Sequence, residues 1–462
     1  MSAATERLRR RTRVFFSAGS ISGNAISQAW TLWLIYFYAP PSDATIATRV
    51  PDVAGIDARV VLGIVLTSAR LLEAIDDPLI GYWSDRMRSP WGRRIPFIVL
   101  GTPWWALLFV LLFFPPTDSP DAVNLAFLFV LLIGFYLLSN LSGAPYEALL
   151  PSIARRADDR ISIATWQVLF GVGGAVIGLS LSSLLQAFFG FQVMAVTIAA
   201  IALAVRYIAL AGCWREARAD AAPAVVPLRR ALRDTFTNRE FLAYLPSFVC
   251  FQVGLQMLTA LLPFFVEAVL HESTFLGWTG RGNAGIFSFL LTAAVIVGML
   301  AGVPVFARLG RARGKAAAYR VAMLGSAAYF PLLFFAGFIP LLPTLGQAFA
   351  MIFLAGLPTA GVFLFPNIIT ADIVDEDAGR TGTRREAMYY GSQNQVEKAA
   401  TALSPLLFAI VLLAGDSAAN PLGVRLVGPA AGLLVLVGWL FFRGYTLAPD
   451  APPPAAEARR AA

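Results

Sequence analysis

Residues 70–97 read RLLEAIDDPLIGYWSDRMRSPWGRRIPF. The first part places Arg70, Glu73, Asp76 and Asp77 inside an apolar segment, 59–83, long enough to cross a bilayer. Charges at that depth are costly and tend to face a protein interior or a water-filled path. Glu73 and Asp77 are four residues apart, so on a helix they share one face, with Arg70 a turn before Glu73. Asp76 is turned away from them by about 100°. Pro78 lacks an N–H and would free the carbonyl of Ala74, between the two acids. The second part is a short loop dense in arginine. A buried acidic face followed at once by a basic loop does not fit a solvated surface.

The rest of the chain extends the membrane reading. Of its 462 residues, 58% are hydrophobic and 14% charged. Twelve apolar segments are predicted, from 14–38 and 59–83 through 123–149, 162–187, 192–213, 241–269 and 345–371 to 387–414 and 422–445. With the N-terminus inside, the inner stretches hold 29 Lys or Arg and the outer ones only 4, as the positive-inside rule requires. The net charge of +8 is thus a mark of topology and not of nucleic-acid binding. Cys213 falls at an inner end and Cys250 inside a segment, so no disulfide is expected. The lone His271 has no second ligand near it in sequence, and no nucleophile–base pair or metal-ligand spacing points to an enzyme.

Polar residues recur in three other segments. Asn24, Gln28 and Trp30 lie in 14–38 and either face a cavity or pack between helices. Asn140, Gly143, Pro145 and Glu147 lie in 123–149; the Gly and Pro suggest a break there. Glu147, near the inner end, suits an interfacial salt bridge first and a solute contact second. Gln393, Asn394, Glu397 and Lys398 lie in 387–414, where Lys398 needs an acidic partner, Glu73 or Asp77 if the two segments adjoin.

The chain divides into an N-terminal six-helix bundle (1–213), an inner linker (214–240), a C-terminal six-helix bundle (241–445) and a disordered tail (446–462). The linker includes the basic LRRALRDTF, read as an amphipathic helix on the membrane surface. The loops SDRMRSPWGRR (84–94) and ARLGRARGK (307–315) fall at the same place in each half, a weak internal repeat of the kind secondary transporters carry. Asp372 and Asp375 meet inner basic loops and are expected to pair there.

The stretches EAIDDPLIGYWSDRMRSPWGRRIPF, APYEALLPSI and ADIVDEDAGRTGTRREAMYYGSQNQVEKAA, in order along the full chain, resemble the glycoside–pentoside–hexuronide:cation symporter family. This is the melibiose-permease-like branch of the major facilitator superfamily. The resemblance implies an all-α membrane protein of twelve helices in two pseudo-symmetric six-helix bundles, working by alternating access. It assigns the coupling cation, Na+ or H+, to Glu73 and Asp77, with Lys398 and Arg70 balancing charge. The chain departs from the sugar-carrying pattern at Asn24, where the family has an acid, near Gln167 or Val168, where it has an arginine, and at Gly143, where it has an acid. Asn140, one turn before Gly143, is the candidate to complete the cation site.

The reading is a symporter of a sugar or glycoside, with no cofactor beyond the coupling ion. The alternatives are the same fold carrying an amphiphile such as a lysolipid and, remotely, a membrane-embedded enzyme. Asn24, Gln28, Trp30, Glu147, Gln393 and Asn394 are the candidates for the solute path. Asp85, Arg93 and Arg94 are expected to form an inner-face latch. The partners are a small solute and the lipid bilayer, and no nucleic acid. A multi-pass monomer of the cell membrane with both termini cytoplasmic is expected.

Overall fold

The computed structural model describes residues 8–86, 89–92, 94–154, 157–218, 235–340, 342–382 and 386–447, with the side chains of 74–86, 151–152, 157–158, 160–161 and 386–387 outside that description. The described residues are almost wholly helical: α1 (Arg10–Tyr38), α2 (Ala58–Arg86), α3 (Ile95–Leu111), α4 (Ala122–Glu147), α5 (Ala157–Val176), α6 (Ser182–Gly212), α7 (Arg239–Val269), α8 (Ala284–Arg313), α9 (Lys315–Tyr329), α10 (Thr344–Leu364), α11 (Pro366–Thr381), α12 (Glu386–Thr401), α13 (Ser404–Leu412) and α14 (Leu422–Phe442). A two-strand ribbon, β1 (Thr274–Phe275) and β2 (Trp278–Thr279), sits between α7 and α8. Among the described residues, eight stretches of helix are long and apolar enough to cross a membrane.

Helix breaks follow local chemistry. The turn between segments 162–187 and 192–213 is made at Gly190, whose φ of 82° a residue with a side chain rarely adopts. Proline at the second position of α13 and the first of α11 divides two of the apolar segments into paired helices. The Gly143–Pro145 pair does not break α4, which continues to Glu147. It lies so close to the C-terminal end that the carbonyls it disturbs belong to the last turns. Likewise α2 runs unbroken through Pro78.

The chain forms two compact units. The first comprises Met1–Val225, Thr259–Thr292 and Ala402–Val424. In it α1 packs on α5 and α6, α4 on α2 and α3, and α13 on α2. Close approach of α1 and α5 depends on small residues: a Cβ at Gly174 would stand 2.6 Å from the Ile21 carbonyl oxygen. Trp33, Tyr36, Phe37, Phe113 and Phe191 make an aromatic core toward the outer end, and Trp33 Nε1 donates to Ser182 Oγ at 3.0 Å. The loops after α1 and after α13 are tied by carboxylates. Asp416 receives the Arg59 guanidinium and, at 3.1 and 3.2 Å, the Ser42 N–H and hydroxyl. Asp43 accepts the Ala418 N–H at 2.7 Å.

The second unit comprises Val226–Leu258, Ala293–Thr401 and Arg425–Ala462. Its core is built on Tyr244, Tyr319, Tyr389, Phe442 and Tyr445, all essentially buried. Glu240 accepts the Thr446 N–H at 2.7 Å and its hydroxyl at 2.6 Å, fixing the chain just past α14.

The internal repeat has a structural counterpart inside each unit. Arg94, after the first basic loop, donates to the Ala148 carbonyl at the end of α4. Lys315, after the second, pairs with Asp372 on α11 at 2.6 Å. Both cations close the same step of their half, the fourth apolar segment and the tenth.

Candidate functional site

The candidate site in the first unit is assembled from α1, α2 and α4. Glu73 is buried, as is Asn140. The Arg70 guanidinium carbon lies 5.8 Å from the Trp30 ring centroid. Trp30 in turn meets Tyr136 edge-on, centroids 6.3 Å apart at 67°. Arg70 and Glu73 are the charges that act on the Tyr136 hydroxyl. Asn140 follows Tyr136 by one turn of α4.

Four donors gathered here are buried without a hydrogen-bond partner among the described residues: Trp30 Nε1, Thr67 Oγ1, Arg70 Nε and the Tyr136 hydroxyl. Trp30, Thr67 and Tyr136 are 6%, 6% and 7% exposed. An unmatched buried polar group costs about 1–3 kcal/mol, so four on α1, α2 and α4 are a costly feature for packing alone. Thr67 and Tyr136 did not stand out in the sequence, because each sits in an otherwise apolar run. Their signal is helical spacing: Thr67 lies three residues before Arg70, and Tyr136 four before Asn140.

Asn24 and Gln28 pack toward α5 and the residues just after it. Asn24 Nδ2 donates to the Ser20 carbonyl at 2.9 Å, and its side chain fills the space left by Gly171 and Gly174 on α5. Gln28 occupies the same kind of space over Gly178. Glu147 ends α4 exposed, with Arg206 a nearby opposite charge. Arg206 itself is buried under the Tyr146 ring, 4.6 Å from its centroid.

In the second unit, Gln393 is buried and accepts the Thr370 hydroxyl at 2.9 Å, joining α12 to α11. Asn394 is exposed and Lys398 half-buried on the same helix. Glu397 accepts Gln252 Nε2 from α7 at 2.7 Å.

The side chains of Asp77 and Asp85 and the whole of Arg93 lie outside the described residues. Of the expected latch, Arg94 is described. Its loop is held further by Arg218, whose Nη2 donates to the Pro90 carbonyl at 2.8 Å. Just before α2, hydrogen bonds from Arg59 hold the Asp57 carboxyl below the usual carboxylate range.

A helical membrane protein with an internal repeat and buried charges among its helices has the form of a secondary transporter. The family model described as MFS/sugar transport protein matches residues 15–424, and the chain belongs to that family. It is therefore a multi-pass membrane transporter of the major facilitator superfamily and not an enzyme. Among relatives, an uncharacterized symporter of Synechocystis sp. is 24% identical, over 89% of this chain and 87% of its own length. The isoprimeverose transporter of Lactiplantibacillus pentosus is 21% identical, over 88% of this chain and 81% of its own. The crystal structure of the nucleoside transporter NupG aligns over 95% of this chain and 100% of its own, with a TM-score of 0.59 at 14% identity, a likeness of fold alone.

Proposed function

We propose that the protein couples movement of a sugar or glycoside to that of a cation by alternating access, with both termini on the cytoplasmic side. The carrying observation is the buried acid Glu73 beside four buried donors that lack partners, Trp30, Thr67, Arg70 and Tyr136. A solute with several hydroxyls supplies acceptors to such donors and a face for the Trp30 ring. Symport and sugar carriage in the named relatives support the same reading.

The coupling ion, Na+ or H+, binds at Glu73 and Asp77, the pair sharing a face of α2. A bound cation offsets the cost of holding two carboxylates close together. Asn140, buried on α4, adds a neutral oxygen. Asn24 and Gln28 serve chiefly to pack α1 on the glycine face of α5, and Gln393 ties α12 to α11.

The test is uptake into proteoliposomes with a panel of sugars and glycosides and one lysolipid, under separately imposed sodium and proton gradients. Accumulation of a sugar under one gradient is the expected result. Failure of every sugar under both gradients, or movement of the lysolipid alone, defeats the proposal.

A further inference from the structure

Glu267 has no part in the site described above. It lies near the outer end of α7 and is 3% exposed. Its Oε1 meets the Tyr36 hydroxyl of α1 at 2.9 Å. The Gly282 N–H, from the loop before α8, stands 3.3 Å from both carboxylate oxygens. No cation lies within 4.0 Å of it among the described residues. Asp43, after α1, and the exposed Arg281 are the charges that act on it from the adjoining loops. Toward α13 the neighbouring contact of α7 is apolar, Phe264 against Phe408 at 5.3 Å.

A carboxylate buried against neutral donors and a neighbouring Asp is an expensive arrangement. A proton removes the expense without losing a contact. The 2.9 Å O···O contact works in either direction, so the protonated acid can donate to the Tyr36 oxygen while still accepting from Gly282.

We propose that Glu267 is a proton-binding site of the outer gate. It takes up a proton from the outer solution onto a carboxylate oxygen as α1 closes on α7, and returns it when the outer ends part. The proposal rests on the alternating-access reading, but it concerns an ionisable group remote in sequence from Glu73 and Asp77. It makes the outer gate sensitive to pH even if the coupling ion is sodium.

Ala39, 1% exposed at the outer end of α1, reports closure. Ala39→Cys in right-side-out vesicles is labelled with a membrane-impermeant maleimide at about pH 5 and about pH 8, and normalised to Ser119→Cys, an exposed outer-loop position that corrects for thiol reactivity. Labelling needs no solute, so a failure of sugar symport leaves this test intact. The normalised rate should rise about fivefold or more from the lower to the higher pH, as an ionised Glu267 loosens closure. In Glu267→Gln, neutral at every pH, it should stay low at both. Tyr36→Phe, which keeps the carboxyl, should retain the rise. A flat wild-type profile, a rise that survives Glu267→Gln, or a rise lost in Tyr36→Phe overturns the proposal.

Discussion

The polar clusters of the two units differ in how their hydrogen bonds are spent. In the second unit the polar side chains of α11 and α12 answer others: Thr370 with Gln393, Gln252 with Glu397, Lys315 with Asp372, while Tyr244 Oη and Ser326 Oγ are buried unmatched elsewhere in that unit. In the first, donor atoms of Trp30, Thr67, Arg70 and Tyr136 are buried and unmatched on α1, α2 and α4. Matched pairs hold helices in register, as polar contacts between membrane helices commonly do. Unmatched donors around a charged and aromatic centre are what a solute with hydroxyls can satisfy. On the proposed function, recognition belongs to the first cluster and helix registry to the second.

The largest effect should come from Arg70→Ala, which removes a half-buried cation one turn from the buried Glu73. Without that neighbouring charge, solute-driven exchange should fall below detection at matched expression. Substantial residual exchange would detach Arg70 from the site. Next is Trp30→Ala, which takes away both the ring and a donor. Direct titration should show solute affinity lower by about tenfold to a hundredfold, from the loss of stacking and one hydrogen bond. Tyr136→Phe removes only the hydroxyl and should weaken affinity by about threefold to tenfold. Unchanged affinity there would remove the hydroxyl from the recognition cluster.

Gln393→Ala makes the converse test. It should lower thermal stability in detergent, by about 1 kcal/mol or less on the scale of interhelical bonds in membranes, while solute affinity holds. A loss of affinity with stability intact would move Gln393 into the recognition cluster and undo the comparison. The smallest effect concerns pH at the outer loops. Asp57 has its carboxyl held low by Arg59, so its contribution is present above the ordinary carboxylate range, about 3.9, and is lost as pH falls through its lower folded value. Asp57→Asn should therefore flatten the low-pH end of a stability profile and leave the neutral region little changed.

The architecture was largely legible in the sequence, because a bilayer demands long apolar helices and sorts arginine to one side. Even the turn at Gly190 falls in the gap between segments 162–187 and 192–213. The break before Pro405 was not foreseen, since an uninterrupted apolar run hides where its helix divides. The site was legible where charge stood out against apolar surroundings, as at Arg70 and Glu73. It was illegible at Thr67 and Tyr136, whose significance lies in lacking a partner, a property of three dimensions. Asn24 and Gln28 show the opposite limit. Their helical spacing fits a cavity and a helix contact equally well, and the glycines opposite them on α5 favour the contact.

Gradient-driven solute accumulation in proteoliposomes containing Asp77→Asn, at matched expression and beside Asp76→Asn, tests the cation site most directly. Asp77 shares its face of α2 with Glu73, whereas Asp76 is turned about 100° away. The account predicts that Asp77→Asn abolishes accumulation under any cation gradient and that Asp76→Asn retains a substantial part of it. Full accumulation by Asp77→Asn would contradict it.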